Sequence, residues 1–222
     1  IVNAPVNGIL LTNLALHGAP LKTSQVNGVI SNCFVENSGQ HGIHVLDTGN
    51  SITDWSLLNC WISTSRHSAL FFENIAGWQV RGNHIYGVGE HAIFGNRCFA
   101  TTIADNYIED FGGVGGTQED TWYGVACTMQ GGAGSVISGN KIFQLGARPA
   151  GTAANYVYIG VPKVNEGVGV LNVANNLIRG WNGSSDVGLL YQSGSGHLEV
   201  ASDGNNIQTA GTPRVTDKGV TL

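Results

Sequence analysis

The sequence predicts an all-β fold, a solenoid in which the short strands of successive coils stack on one another. The first observation is an asparagine that recurs just before apolar residues. It stands at Asn32, Asn59, Asn83, Asn106, Asn140, Asn176 and Asn205. The spacings of 27, 24, 23, 34, 36 and 29 residues are too irregular for an array of helical hairpins. They are typical of a solenoid whose turns carry insertions.

A second repeated column runs out of phase with the first. Its segments, such as His-Gly-Ile and Tyr-Gly-Val, begin at His41, His67, His91, Tyr123, Tyr156 and Val187. Each pair of one residue from the first column and one from the second marks one coil of the solenoid. We therefore expect the asparagines from Asn32 to Asn140 to align in one ladder along the solenoid.

The composition agrees with a β-solenoid. Glycine accounts for 33 of 222 residues, hydrophobic residues for 42% and charged residues for only 11%. Such a chain is globular, neither disordered nor collagen-like. Glycine suits tight turns, and short Val/Ile/Leu alternations suit strands that are buried on one face. Because no linker or charge run divides the chain, we expect one domain over residues 1–222.

The charge and hydropathy exclude two classes of partner. The net charge is −5, and the 10 Lys and Arg residues form no basic stripe, so we expect neither nucleic acid nor an anionic membrane surface as a partner. The sequence contains no run of 18 or more apolar residues, so we expect no membrane insertion. The chain also lacks a starting Met, a signal-peptide pattern and a capping helix. We therefore expect a fragment of a longer protein without its caps.

The four cysteines do not form a disulfide scaffold. Cys33 and Cys60 each follow a repeated asparagine, so they are expected at equivalent places on neighbouring coils, about 4.8 Å apart. We expect stacked free thiols there, with a disulfide as the open alternative. No Cys-x-x-Cys or His-x-x-x-His spacing occurs, so neither a metal site nor a cofactor is expected.

The coil pattern x-Asn-x-Ile followed by His-Gly-Ile-x-Val resembles the right-handed parallel β-helix of the pectate-lyase-like superfamily. That superfamily includes pectinases, alginate epimerases and lyases, and bacteriophage tailspike depolymerases. The resemblance covers roughly residues 8–210 and implies about eight coils. The signatures of the epimerases and polygalacturonases are absent, so no catalytic residue is carried over by motif.

The tailspike branch is the subgroup that the chain most resembles, given its missing ends and its polar, weakly charged sequence. That resemblance implies a homotrimer and an extracellular or virion-associated location on a phage tail. It also implies a polysaccharide partner of the capsule, exopolysaccharide or lipopolysaccharide type.

Two coils are longer than the others at the same turn. The separation from the first column to the second is 9, 8 and 8 residues in the first three coils, then 17 and 16, and then 11. The two insertions, 110–121 and 145–154, are expected to stack into a wall beside a flat strand surface. Such a wall makes a groove, and the inserted face of a repeat protein is often its binding face.

The residues around this predicted groove are those that a sugar site uses. Aromatic faces stack on pyranose rings, and paired carboxyl groups can protonate a leaving oxygen and attack the anomeric carbon or activate water. The catalytic candidates are Glu90, His91, Asp110, Glu119 and Asp120. The substrate-binding candidates are Arg66, Trp122, Tyr123, Arg148 and Tyr156.

A structural role is the alternative for each of these residues. Carboxylates in a glycine-rich loop can serve solubility and turn formation. The histidine column recurs on coils without an insertion, which favours a structural stack, with His91 as the functional exception because it adjoins the first insertion. Asp47, Glu73 and Arg97 end their strands at matching positions and are expected to form a solvated charge ladder.

Three classes of function remain open at this point. A glycoside hydrolase is the first choice, since it needs two carboxyl groups and no uronic acid in its substrate. A lyase or epimerase of uronates would instead use Arg66, His91, Tyr123 and Arg148 as cations or bases. The third class is a non-catalytic spike or adhesin that binds glycan without cleaving it.

Overall fold

The computed structural model describes residues 5–12, 25–26, 28–47, 52–181, 183, 185–208 and 211–222. Over these residues the protein is a parallel β-helix, as the sequence predicts. Three parallel sheets run along its length, and every strand pair within them is parallel. The prediction for 8–210 also includes residues 13–24, 27, 48–51, 182, 184, 209 and 210, which lie outside the described part of the chain.

Sheet 1 carries the second sequence column at the start of its strands. Its main path contains the strands Ile9–Thr12, Ile43–Leu46, Leu70–Phe72, Ile93–Cys98, Thr121–Gln130, Asn155–Val161, Asp186–Tyr191 and Thr212–Thr216. A further strand, Val164–Glu166, pairs with the end of Thr121–Gln130. Eight strands in one path agree with the predicted eight coils.

Sheets 2 and 3 complete each coil. Sheet 2 contains Val29–Ser31, Ser56–Leu58, Gln79–Arg81, Thr102–Ala104, Ser135–Ser138, Val168–Ala174, His197–Asp203 and Val220–Thr221. Sheet 3 contains Phe34–Glu36, Trp61–Ser63, His84–Tyr86, Tyr107–Glu109, Lys141–Phe143, Leu177–Arg179 and Asn206–Gln208. A short pair, Gln25–Val26 with Ile52–Thr53, lies apart from them. The chain passes from sheet 1 to sheet 2, then sheet 3, and back to sheet 1.

The core is a column of apolar side chains between the three sheets. In sheet 1, Ile43, Leu70 and Ile93 are in register and fully buried. In sheet 3 the corresponding positions are occupied by isoleucines such as Ile62 and Ile85. Burying each such side chain stabilises the fold by about 1.5–3 kcal/mol. A single coil exposes this surface, and stacking removes it from water.

An asparagine ladder is present, but it includes only part of the predicted column. The side-chain amide of each member donates to the Oδ1 of the next at 2.9–3.0 Å. The members are Asn83, Asn106, Asn140, Asn176 and Asn205. These buried amides are thus paired with one another, which avoids the cost of an unsatisfied polar group in the core.

The prediction that Asn32 and Asn59 join this ladder is wrong. The register of Phe34 with Trp61, and of Trp61 with His84, places Cys33 and Cys60 level with Asn83. The N–H of Cys60 accordingly donates to Asn83 Oδ1 at 2.9 Å. The two cysteines therefore lie at equivalent places, as predicted, and both are free thiols.

Asn32 and Asn59 have a different role in the turn between sheets 2 and 3. They have positive φ angles of 52° and 53°, and the residue at this level in the later coils also has positive φ. Those residues are Gly82, Asp105, Gly139, Asn175 and Gly204. Glycine, asparagine and aspartate tolerate this left-handed conformation best. Asparagine thus occurs at two adjacent positions of this turn, the position with positive φ and the ladder position after it. The sequence repeat alone does not show which of the two positions a given asparagine occupies.

The second sequence column is misaligned by one residue on two coils. The strand register places Val157, not Tyr156, level with Tyr123 and Val187. It places Ser68, not His67, between His41 and His91. The turns before these strands differ in length, so residue counting alone could not give their register. Within the described ranges no helix is long and apolar enough to cross a membrane.

Candidate functional site

The two insertions lie side by side at the turn between sheets 3 and 1. Ala153 N–H donates to Gly116 O at 2.8 Å, and the Asn155 side-chain amide donates to Gln118 O at 2.9 Å. We call residues 110–120 and 144–154 the wall. The wall borders the start of the strands of sheet 1, where sequence reasoning expected it.

The wall also folds back over part of the surface that it was expected to border. Trp122, Tyr156 and Asp186 are level with one another at the start of their strands. The Tyr156 hydroxyl donates to Gly112 O at 3.0 Å, and the Trp122 indole N–H donates to Gly115 O at 2.7 Å. Tyr156 is fully buried as a result, whereas Trp122 is half-buried.

Arg148 connects the second insertion to the next coil. Its Nη1 lies 2.8 Å from Asp186 Oδ1, and its Nη2 donates to Ala154 O at 3.2 Å. The guanidinium also lies 4.7 Å from the centre of the Tyr156 ring. Because Asp186 is fully buried, this ion pair supplies the charge partner that a buried carboxylate requires. A cavity of about 880 Å³ next to it is lined by Gln118, Arg148, Asn155 and Trp181.

The three carboxylates of the first insertion have different environments. Asp110 Oδ1 accepts the backbone N–H groups of Leu145 and Gly146 at 2.7 and 2.9 Å, so it joins the two insertions. Asp120 Oδ2 accepts the N–H and the hydroxyl of Thr117 at 2.8 and 3.0 Å. Glu119 is exposed. Two of the three therefore stabilise the wall itself.

The wall ends at the coil that carries Glu90. Gly112 N–H donates to Glu90 O at 2.8 Å, and Val114 N–H donates to Gly89 O at 3.0 Å. On the preceding coil, His67 Nδ1 lies 2.6 Å from Glu90 Oε1. We call His67, Glu90, His91, Val114 and Trp122 the ledge. Arg66, which precedes His67, is exposed.

His91 is held in one tautomer by the backbone. Its Nδ1 accepts the Tyr123 N–H at 3.2 Å, so the ring hydrogen is on Nε2. Its ring packs against those of Phe94 and Trp122 at 4.9 and 5.4 Å. Burial lowers the pKa of His91 to about 4, with a smaller contribution from the nearby His41. His91 is thus a neutral hydrogen-bond donor at neutral pH.

His41 repeats this arrangement two coils away. Its Nδ1 accepts the Ser68 N–H at 3.2 Å, and burial lowers its pKa to about 4, with help from His44 and His67. The Nδ1 atoms of His41 and His91 therefore accept backbone N–H groups, which is the structural role that the sequence favoured for this column. The sequence favoured a functional role for His91 alone, but the rings of His91 and His41 each accept a backbone N–H at Nδ1.

Stacked rings cover the outer face of sheet 1. His41 stacks on Phe71 at 4.7 Å, Phe71 stacks on Phe94 at 5.3 Å with an angle of 10°, and Phe94 stacks on His91. Tyr123 continues this face but is 9% exposed, and burial raises its pKa. We call the rings of His41, Phe71, Phe94 and His91 the aromatic strip. Phe71 and Phe94 were missed from the sequence, although both follow a buried residue in a predicted strand.

A groove of about 540 Å³ lies at the far end of the strands of sheet 1. It is lined by Asp47, Phe71, Phe72, Glu73, Phe94, Asn96, Arg97, Thr128 and Lys163. Arg97 has a positive φ of 61°, and the register between its strand and the next shifts at this point. A bulge of this kind redirects a side chain and is common beside functional sites.

The prediction that Asp47, Glu73 and Arg97 form a solvated charge ladder at matching positions is wrong, because the register places Asn74 rather than Glu73 level with Asp47. Asp47 is 1% exposed, and its Oδ2 accepts the Ile52 N–H at 2.8 Å and the Asn74 amide at 3.0 Å. The prediction of a solvated Asp47 is therefore wrong, because these hydrogen bonds hold its carboxylate inside the fold. Glu73 and Arg97 are half-buried and line the groove.

The arrangement has no match among known proteins that would assign it a chemistry. In comparisons with known proteins, no protein-family model, no curated protein and no solved structure matches the chain significantly. Among the described residues, no group of three or more His, Cys, Asp or Glu side chains could hold a metal ion.

Proposed function

We propose that the protein binds a polysaccharide along the outer face of sheet 1 and hydrolyses a glycosidic bond at the ledge. The observation that carries the proposal is the aromatic strip, which lies between the wall at one end of the strands and the charged groove at the other. A long polymer can lie across several coils of such a face. The capsule, exopolysaccharide or lipopolysaccharide type of substrate follows from the family resemblance alone.

Binding is supported by the chemistry of the strip. The faces of Phe71 and Phe94 are apolar surfaces on which the C–H faces of sugar rings can pack. His91 adds an Nε2–H donor next to these rings. Hydroxyl-rich ligands need a few fixed polar groups beside apolar surface, and this combination is typical of carbohydrate sites.

Cleavage is supported by Glu90. Its carboxyl group lies at the open end of the wall, 2.6 Å from His67 Nδ1, where it can transfer a proton to a glycosidic oxygen. A second carboxyl group is needed on the other side of the bond. Glu119 is our candidate for this role, because it is exposed, whereas Asp110 and Asp120 already accept backbone N–H groups within the wall.

A glycan-binding protein without catalytic activity is the second candidate. It is favoured by the contacts of Asp110 and Asp120, which give both carboxylates a structural role. Uronate lyase or epimerase chemistry has less support. Arg148 is paired with Asp186, Tyr123 is 9% exposed, and His91 uses Nδ1 as a backbone acceptor. Arg66 remains the exposed cation of that set.

The experiment is a binding screen on a panel of bacterial polysaccharides, followed by mass spectrometry of the products. New reducing ends without absorbance from unsaturated uronates would support hydrolysis. That absorbance would indicate a lyase, and binding without products would indicate a binding protein. No binding to any glycan of the panel, with the fold intact, would contradict the proposal.

A matched pair of variants locates the chemistry. Glu90→Gln changes the ledge, whereas Glu199→Gln changes an exposed carboxyl group on sheet 2. The proposal predicts that only Glu90→Gln abolishes products. Equal activity of both variants would place the reaction elsewhere.

A further inference from the structure

Cys33 and Cys60 are directly opposite each other on neighbouring coils. The next residues along the chain, Phe34 and Trp61, are register partners in sheet 3. Stacked parallel strands are about 4.8 Å apart, which lies inside the range of Cα separations that a disulfide spans. The Cys33 N–H donates to the Cys60 sulfur at 3.5 Å. No backbone movement is needed to bring the two residues together.

Cys33 and Cys60 occupy the position at which the later coils carry the asparagines of the ladder. From Asn83 onward, each ladder residue donates its side-chain amide to the next coil. A thiol is a much weaker donor. The Cys33 and Cys60 thiols bond instead to the carbonyls of Ser31 and Leu58, each two residues earlier in its own coil, at 3.4 Å. Between the coils of Cys33 and Cys60, the hydrogen bonds at this level involve sulfur and are weak: the Cys33 N–H donates to the Cys60 sulfur, and the Cys60 thiol donates to Ile30 O at 3.9 Å.

We propose that Cys33 and Cys60 are a redox pair that closes to a disulfide in the presence of a small-molecule disulfide such as oxidised glutathione. Cys33 is half-buried and Cys60 is 2% exposed, so Cys33 reacts first. Its thiolate attacks one sulfur of the oxidant, and one glutathione thiolate leaves. The Cys60 thiolate then attacks the Cys33 sulfur and releases the second glutathione. Two protein thiols are oxidised, one glutathione disulfide is reduced, and the two thiol protons end on the two glutathione thiols that leave.

The closing step depends on the Cys60 thiolate. Burial raises the pKa of Cys60, and the nearby Cys33 thiol also contributes. The thiolate fraction is therefore small at neutral pH and rises with pH, so closure accelerates as pH rises. The bond would join two coils across the 26 residues between the cysteines, and it would restrict the unfolded chain.

The other two cysteines provide an internal control. Cys98 and Cys127 are also on neighbouring coils, but the register pairs Cys98 with Met129 and Gly95 with Cys127. Their thiols are nevertheless in hydrogen-bond contact. The control therefore depends on burial, since both residues are at most 1% exposed and an oxidant in solution does not reach them in the folded protein. We expect them to stay reduced while the protein is folded.

The test treats the 222-residue protein with oxidised glutathione, alkylates the remaining thiols under denaturing conditions and maps the peptides without reduction. The expected result is one cross-linked peptide pair containing Cys33 and Cys60, with Cys98 and Cys127 alkylated. A stable glutathione adduct on Cys33 without a cross-link would overturn the proposal. Cross-linking of Cys98 at the same rate would also overturn it, since the reaction would then follow unfolding.

Two variants separate the steps. Cys60→Ser should stop at the mixed disulfide on Cys33, and Cys33→Ser should leave Cys60 unmodified. Thermal unfolding of each variant verifies that it is folded. If the oxidised protein without substitutions unfolds at the same or a lower temperature than the reduced protein, the proposed joining of the coils is wrong.

Discussion

Glu90 Oε1 and His67 Nδ1 lie 2.6 Å apart on neighbouring coils, at the coil where the wall ends. The imidazole holds one carboxyl oxygen in place at the open side of the strand surface. This pair is the part of the ledge with the geometry of an acid–base group and its orienting partner.

Glu90→Ala should lower turnover on the cognate glycan by about 100-fold or more and leave binding largely intact, because a general acid acts mainly in the transition state. Turnover is measured in the same way for Asp110→Ala, Glu119→Ala and Asp120→Ala. We expect a comparable loss for Glu119. Wild-type turnover in all four variants would move the reaction to another face or to a subunit junction.

Trp122→Ala should weaken glycan binding by about 1–3 kcal/mol through lost apolar area and stacking. The Trp122 indole also donates to Gly115 O, so the variant loosens the first insertion as well. Trp122→Phe keeps a ring but removes that hydrogen bond. Calorimetric titration of both variants distinguishes the two effects, and unchanged affinity in Trp122→Ala would exclude this residue from the binding surface.

Asn106→Ala should destabilise the fold by about 1–3 kcal/mol, because it leaves buried partners unpaired. Asn106 donates to Val80 O and Asn140 Oδ1 and accepts two bonds from Asn83. Asn172 is exposed on sheet 2, so Asn172→Ala is the matched control. Chemical denaturation gives the free energies of unfolding, and equal values for both variants would contradict a stabilising ladder.

Stability should fall as pH decreases from about 6.5 to 4. The pKa values of His91 and His41 are lowered to about 4 in the folded protein, against about 6.5 in an unfolded chain. The unfolded state therefore binds more protons in this window, and the stabilisation that is complete above pH 6.5 is lost on acidification.

We expect a loss of about 1–3 kcal/mol over this range. Denaturation at pH 7.5 and 4.5 measures it. In His91→Gln, whose amide oxygen can accept the Tyr123 N–H, the difference between the two pH values should shrink. An unchanged difference would exclude His91 as a source.

We predict that the chain forms a homotrimer and that its contact surface is on sheet 3. Phe34, Trp61, His84 and Tyr107 are in register there, with neighbouring rings 6.2, 4.0 and 4.6 Å apart. Phe34 is 46% exposed and Trp61 is 36% exposed. Exposed apolar patches of this kind mark interaction sites.

Light scattering at micromolar concentration should therefore give three times the mass of the chain. Trp61→Lys should shift the equilibrium toward the monomer, whereas Glu199→Lys on sheet 2 should not. A monomer mass for the unsubstituted protein would count against this assembly.

The position of the wall could be predicted from the sequence, because the length of each coil can be counted there. The wall follows from the two long separations between columns, and the contact between Ala153 and Gly116 agrees with it. The burial and the hydrogen-bond partners of individual side chains could not be predicted in this way. Tyr156 and Arg148 were expected to bind substrate, but the wall covers Tyr156, and Arg148 pairs with the buried Asp186.

The sequence by itself determined that the chain is a β-solenoid with an apolar interior and two insertions at one turn, since these depend on local periodicity and residue counts. Only the tertiary structure decided the register, by which Cys60 rather than Asn59 is level with Asn83. It also decided which polar groups are buried and that Glu90 meets His67. These outcomes depend on hydrogen bonds between residues about one coil apart in sequence, and a repeat pattern leaves such pairings uncertain by one residue.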